Sequence, residues 1–139
     1  MTTATTKVTS GAGPTCEEIA KAVTDGFNAM ASGGPDPTEA LWERYWSEGV
    51  VSIEGTGDAF HGKEAMKAKC AAWEAEHEIL RCDITHTFVG PAGFTLVFDM
   101  EVKVKATGDT IKMIEAGVYE VQDGKVVRET FMYGPGMGG

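Results

Sequence analysis

Three glutamates, Glu54, Glu115 and Glu129, are the residues of this chain whose type and setting point to chemistry. Glu115 alternates with Met113 and Gly117, and Glu129 with Phe131 and Tyr133, in segments that read as strands. A carboxylate on an otherwise apolar strand face is costly unless that face borders a pocket with a use for it. Desolvation in such a pocket raises a carboxyl pKa toward the range suited to moving a proton beside a carbonyl. Two carboxylates facing each other across adjacent strands repel, so that one keeps its proton and serves as the acid. The competing structural reading pairs Glu115 or Glu129 with Arg128, Lys112 or a backbone donor at the rim of the sheet. His86 shares the alternation of Ile84 and Phe88 and is a candidate acid/base partner on the same wall.

Trp46, Phe98, Met100, Met113, Phe131 and Tyr133 are the expected ligand contacts, each of which also reads as core. Trp46 and Tyr133 carry a polar handle that a buried ligand could use. Cys16, Cys70 and Cys82 are odd in number and have no close pair, so free thiols in a reducing compartment are expected. His61, His77 and His86 fall in separate elements, and Glu74-x-x-His77 lacks a third ligand, so no metal is expected. Nucleophile elbow, phosphate loop and dinucleotide fingerprint are all missing, and no cofactor is expected.

The chain has 139 residues, with 12 basic against 21 acidic and a formal net charge of −9. A duplex or an anionic lipid surface would be repelled, and no Lys/Arg cluster offers a local exception. The apolar runs are far short of a membrane span. The first residues lack the apolar middle of a signal peptide, which reads as a cytoplasmic protein. We expect a disordered leader over 1–14, a single domain over 15–133 and a flexible tail over 134–139.

The elements that must position the glutamates follow from periodicity. Thr15 with Glu18 forms a capping box ahead of an apolar stripe at Ile19, Val23, Phe27 and Met30. Asp36-Pro37-Thr38-Glu39 opens a second helix, expected to carry Leu41, Trp42, Tyr45 and Trp46 up to Gly49. Val50–Glu54 reads as a short strand and Lys63–Glu78 as a third helix bearing Met66, Cys70, Trp73 and His77 on one face. Four strands follow, Arg81–Val89, Phe94–Ala106, Thr110–Val121 and Lys125–Tyr133, with turns between them. This order predicts an α+β domain in which a curved, mainly antiparallel (mixed) sheet wraps around three N-terminal helices, cone-shaped with an internal pocket.

The run Leu41 to Glu54, the helix start Phe60-His61-Gly62-Lys63-Glu64-Ala65 and the hairpin Val121-Gln122-Asp123-Gly124-Lys125-Val126 carry a family resemblance. The chain resembles the nuclear transport factor two-like superfamily with its cystatin-like fold, in the SnoaL-like polyketide cyclase and ketosteroid isomerase branch. The resemblance implies a small hydrophobic ligand, a homodimer through the outer sheet face, and Glu54 at the position of the isomerases' general base. It also implies that Glu115 and Glu129 turn inward as acid or orienting groups. The same alignment sets Gly117 where the isomerases have a protonated oxyanion-hole Asp, and Phe27 near their helix-one Tyr. Without those donors a steroid isomerase of the usual mechanism is not expected. The implied activity is a cofactor-independent isomerisation, cyclisation or dehydration of a carbonyl-bearing ligand; the alternative is a non-catalytic ligand-binding or assembly domain of the same fold.

Overall fold

A computed structural model describes residues 13–133. The expected tail over 134–139 and the leader over 1–14, apart from Gly13 and Pro14, lie outside the described residues. Gly13 and Pro14 run against the Asp123-Gly124 turn, where a Cβ on Gly124 would meet Pro14 Cδ at 2.7 Å.

Helix α1 spans Cys16–Ala31 and begins with the expected capping box, Thr15 Oγ1 accepting from the Glu18 amide at 3.1 Å while Glu18 accepts from the Thr15 amide at 2.8 Å. Its stripe buries Ile19 and Val23, and Phe27 meets Phe98 edge-on at 6.1 Å. Helix α2 is short, Thr38–Tyr45, and Asp36 Oδ1 accepts from the Thr38 amide at its start. Trp46 is not helical, as the aromatic spacing suggested; it opens strand β1, Trp46–Ile53. Pairing with the last strand at Trp46↔Val126 draws it into the sheet one turn before Gly49. A brief strand β2, Ala59–His61, which the sequence did not reveal, returns against β1 before helix α3, Lys63–Glu76.

Four long strands follow: β3 His77–Val89, β4 Gly93–Val104, β5 Thr110–Gln122 and β6 Lys125–Met132. The third helix therefore ends two residues early, and His77 starts a strand instead of closing a helix. The sheet order is β2-β1-β6-β5-β4-β3, antiparallel throughout except for the parallel β1–β6 pair. The β5–β6 hairpin turns on two residues of positive φ, Asp123 and Gly124, the backbone that a two-residue type I′ turn requires. Along β4, alternate residues Phe94, Leu96, Phe98, Met100 and Val102 are buried, as the period of two predicts. Together with Ile19, Val23, Val50, Met66 and Val126 they form the core between the helices and one face of the sheet.

Candidate functional site

The pairing register builds the site row by row on that inner face. Ser52 on β1 lies beside Glu129 on β6, Glu129 beside Tyr119 on β5, and Tyr119 beside Phe94 on β4. One pleat further, Phe131, Gly117 and Leu96 form a second row; beyond it Glu115 sits beside Phe98, and Phe98 beside Ile84. A cavity of about 630 Å³ lies over these rows, walled by Val23 and Phe27 of α1, Leu41 and Trp42 of α2, and Lys69, Cys70 and Trp73 of α3. Glu54, Glu115 and Glu129 all line it.

Each carboxylate has a different environment. Glu129 is buried and held at both oxygens: the Trp46 indole donates to Oε1 at 2.9 Å and the Ser52 hydroxyl to Oε2 at 2.7 Å. Burial pushes its pKa up, against the pull of those two donors. Glu54 follows β1 and accepts from the Lys69 ammonium of α3. That ammonium also lies 4.8 Å from the centroid of the Phe131 ring, within cation–π range. Glu115 has no hydrogen bond or ion pair among the described residues. Burial, assisted by the Glu54 charge, raises its pKa to about 7, against the opposing pull of Lys69.

The rim pairings weighed for these carboxylates go elsewhere, Arg128 to Glu120 at 3.7 Å and Lys112 to Glu101 at 3.9 Å. Glu115 and Glu129 do not face each other across β5 and β6, because the register sets Tyr119 opposite Glu129. The carboxylate that acts most strongly on Glu115 is Glu54.

Of the other expected site residues, Trp46, Phe98, Met100 and Phe131 line the cavity. Met113 is buried in the core instead, and Tyr133 packs its ring over Gly55, where a Cβ would meet it at 2.6 Å. His86 is outside the site and exposed. A register shift between Ile84 and His86 puts Ile84 opposite Phe98 on the inner face and His86 opposite Val97 on the outer one. There His86 contacts Thr85 Oγ1 at 3.0 Å and stacks on the exposed Phe88. A bulge of this kind leaves no mark in apolar alternation, which is why the strand pattern misassigned it.

Three site residues escaped the sequence reading. Ser52 is two residues before Glu54, in step with it in the expected strand Val50–Glu54. Lys69 lies at i+3 from Met66 and i−4 from Trp73, a cation on an otherwise apolar helix stripe. Tyr119 continues the inward alternation of Glu115 and Gly117, and that period of two was the signal available. Tyr119 is 5% exposed, boxed by Trp46, Phe94 and Phe131. Cys70 and Cys82 line the cavity as free thiols, and burial lifts both to about 11, so they stay protonated and unreactive. Among the described residues no group of His, Cys, Asp and Glu is arranged to hold a metal ion, and no helix is long and apolar enough to cross a membrane.

The SnoaL-like domain family model matches residues 18–133, the whole span that builds this site. The chain belongs to the SnoaL-like family. A candidate SnoaL-like polyketide cyclase of Mesorhizobium loti is 32% identical to this SnoaL-like chain, with a TM-score of 0.72 over 86% of this chain and 100% of that one. A candidate SnoaL-like polyketide cyclase of Jannaschia sp. CCS1 superposes with a TM-score of 0.69 at 16% identity, covering 87% of this chain and 88% of that one. A hypothetical protein of Catenulispora acidiphila with a ketosteroid isomerase-like fold, solved with trimethylamine, gives a TM-score of 0.66 at 17% identity, again over 87% and 88% of the two chains. Both of these show the shared fold. No curated protein matches the chain significantly.

Proposed function

We propose that this SnoaL-like protein is a cofactor-independent enzyme that moves a proton on a small, hydrophobic, carbonyl-bearing ligand, with Glu115 as the acid/base group. The reaction class is isomerisation, intramolecular aldol cyclisation or dehydration. One observation carries this reading: Glu115 is a cavity carboxyl with no hydrogen bond or ion pair among the described residues, and burial brings it to about 7. A base works best when its pKa lies near the working pH and its lone pairs are not committed elsewhere. The role that family position suggests for Glu54 passes to Glu115 here, because the Lys69 ammonium occupies Glu54. Glu129 is committed to Trp46 and Ser52 and serves to hold the wall of the pocket. The family membership supports this reaction class, as does the first part of the Mesorhizobium loti relative's name, which reads both polyketide cyclase and carbohydrate phosphatase.

The fixed partners of Glu54 and Glu129 favour a second reading, a ligand-binding domain without turnover. Deuterium uptake separates the two. Cyclic enones and 1,3-diketones are incubated with the protein in D2O, and exchange at the carbon beside the carbonyl is followed by NMR. Wild type should accelerate exchange, and Glu115→Gln should lose about 100-fold or more of that acceleration. Full exchange in Glu115→Gln removes the role assigned to this residue, and ligand binding without exchange in wild type leaves the binding domain.

A further inference from the structure

We infer that the Tyr119 hydroxyl is the hydrogen-bond donor that receives the ligand's carbonyl oxygen. The inference rests on the proposed proton transfer by Glu115 and adds the group that would carry the developing charge.

Tyr119 is buried and lines the cavity, yet its hydroxyl has no hydrogen-bond partner among the described residues. A buried donor left without a partner is rare in native proteins and calls for an explanation, such as a ligand that fills the vacancy. The phenol is also aimed. Its ring is stacked on Phe94 at 4.8 Å and met edge-on by Trp46 at 5.8 Å and Phe131 at 6.2 Å, so it has little freedom to turn away. Its hydroxyl end lies over Gly117, where a Cβ would come within 2.6 Å of the oxygen. The missing side chain at 117 is therefore the room in which this hydroxyl sits.

Strand geometry then sets the distance to the proposed base. Glu115, Gly117 and Tyr119 share one face, and residues two apart in a strand are separated by roughly 6.7 Å. A hydroxyl leaning over Gly117 and a carboxyl at Glu115 are about the separation that one small ring can bridge. Three donors near these strands are engaged elsewhere: the Trp46 indole and Ser52 hydroxyl with Glu129, and the Lys69 ammonium with Glu54. In the step itself, the Glu115 carboxylate takes a proton from the carbon beside the carbonyl. The C–H electron pair moves into the new C=C bond and the carbonyl π pair onto oxygen. That oxyanion accepts the Tyr119 hydrogen bond, and the phenol keeps its proton. Glu115 afterwards returns the proton to carbon, so nothing is oxidised or reduced.

The test uses 2-cyclohexenone labelled with ¹³C at the carbonyl, its hydrocarbon ring analogue as control, and infrared difference spectroscopy on wild type, Tyr119→Phe and Gly117→Ala. In wild type the carbonyl band should move to lower wavenumber on binding. Tyr119→Phe should abolish that movement and weaken the enone about tenfold without changing the hydrocarbon. Gly117→Ala keeps the hydroxyl but displaces it, and should lose the band shift as well. Tyr119→Phe should melt at or above the wild-type temperature, since it deletes an unsatisfied polar group. An unchanged band in Tyr119→Phe, an unshifted or unbound enone in wild type, or a lowered melting temperature with enone affinity intact overturns the inference. The Glu115 reading fails by a different signal: a shifted carbonyl band in wild type without deuterium uptake keeps the donor and removes the acid–base step.

Discussion

Lys69 reaches from α3 to Glu54 at the end of β1, and the same ammonium sits over the Phe131 ring of β6. One cation thus ties a helix to two strands beneath the cavity and sets the electrostatic reference for Glu115, whose pKa it lowers. Replacing Lys69 by Met removes that pull. The ionisation of Glu115, followed by carboxyl ¹³C NMR, should then move above the wild-type value of about 7. Glu54 is left as an unpaired, largely enclosed carboxylate, which should cost about 1–3 kcal/mol of folding stability in denaturant titrations.

The raised pKa of Glu115 also makes a prediction about folding. In the unfolded chain it ionises near 4.5, and in the folded protein near 7. Between those values the folded state binds more protons, so this residue's contribution to stability is whole below about pH 4.5 and is lost as pH rises through about 7. The full span corresponds to about 3 kcal/mol. Glu115→Gln cannot ionise, so it should be more stable than wild type at pH 8 by up to about that amount and nearly equal to it at pH 4.5. Urea midpoints at the two pH values check this; an equal difference at both would show that the carboxyl does not titrate in this interval.

Activity should follow the same group with the opposite sense. A carboxylate acting as base must be ionised, so deuterium exchange should rise with pH and level off above about 7, the value to which burial takes Glu115. A profile that levels off near pH 4.5 would point to a solvated base elsewhere in the pocket.

Glu129 should behave as a structural member of the site. Ser52→Ala and Trp46→Phe each remove one of its two donors, and each should cost about 1–3 kcal/mol in chemical denaturation, because a buried carboxyl oxygen is left without its partner. The double variant should depart from the sum of the two, since both act on one carboxylate. Additive losses would mean that the two donors stabilise the fold independently of Glu129.

The outer sheet face exposes Ile114 and Met132, which are 52% and 57% accessible and stand on neighbouring strands, with Met132 beside Ala116. We propose that this face pairs two copies of the chain. Sedimentation velocity should then show a concentration-dependent dimer in wild type that Ile114→Glu with Met132→Glu converts to monomer. A monomer at all concentrations in wild type removes the proposal.

Much of this protein follows from sequence because local rules and the global fold agree. The capping box at Thr15, the alternation from Phe94 to Val102 and the Asp123-Gly124 turn each depend on a few neighbouring residues, and each appears as expected. Glu54, Glu115 and Glu129 all line one cavity; strand alternation singles out Glu115 and Glu129, whereas Glu54 is placed by the family resemblance. What each glutamate can do is decided by contacts between residues far apart in the chain: Trp46 with Glu129, Lys69 with Glu54, Tyr119 above Gly117. The parallel β1–β6 pairing pulls Trp46 out of its helix, and the shift after Ile84 turns His86 to the outer face. Periodicity reports which side of a strand a residue occupies, but pairing register and helix docking are set by long-range packing. The pKa of a carboxyl depends on the charges and donors which that packing brings within a few ångströms.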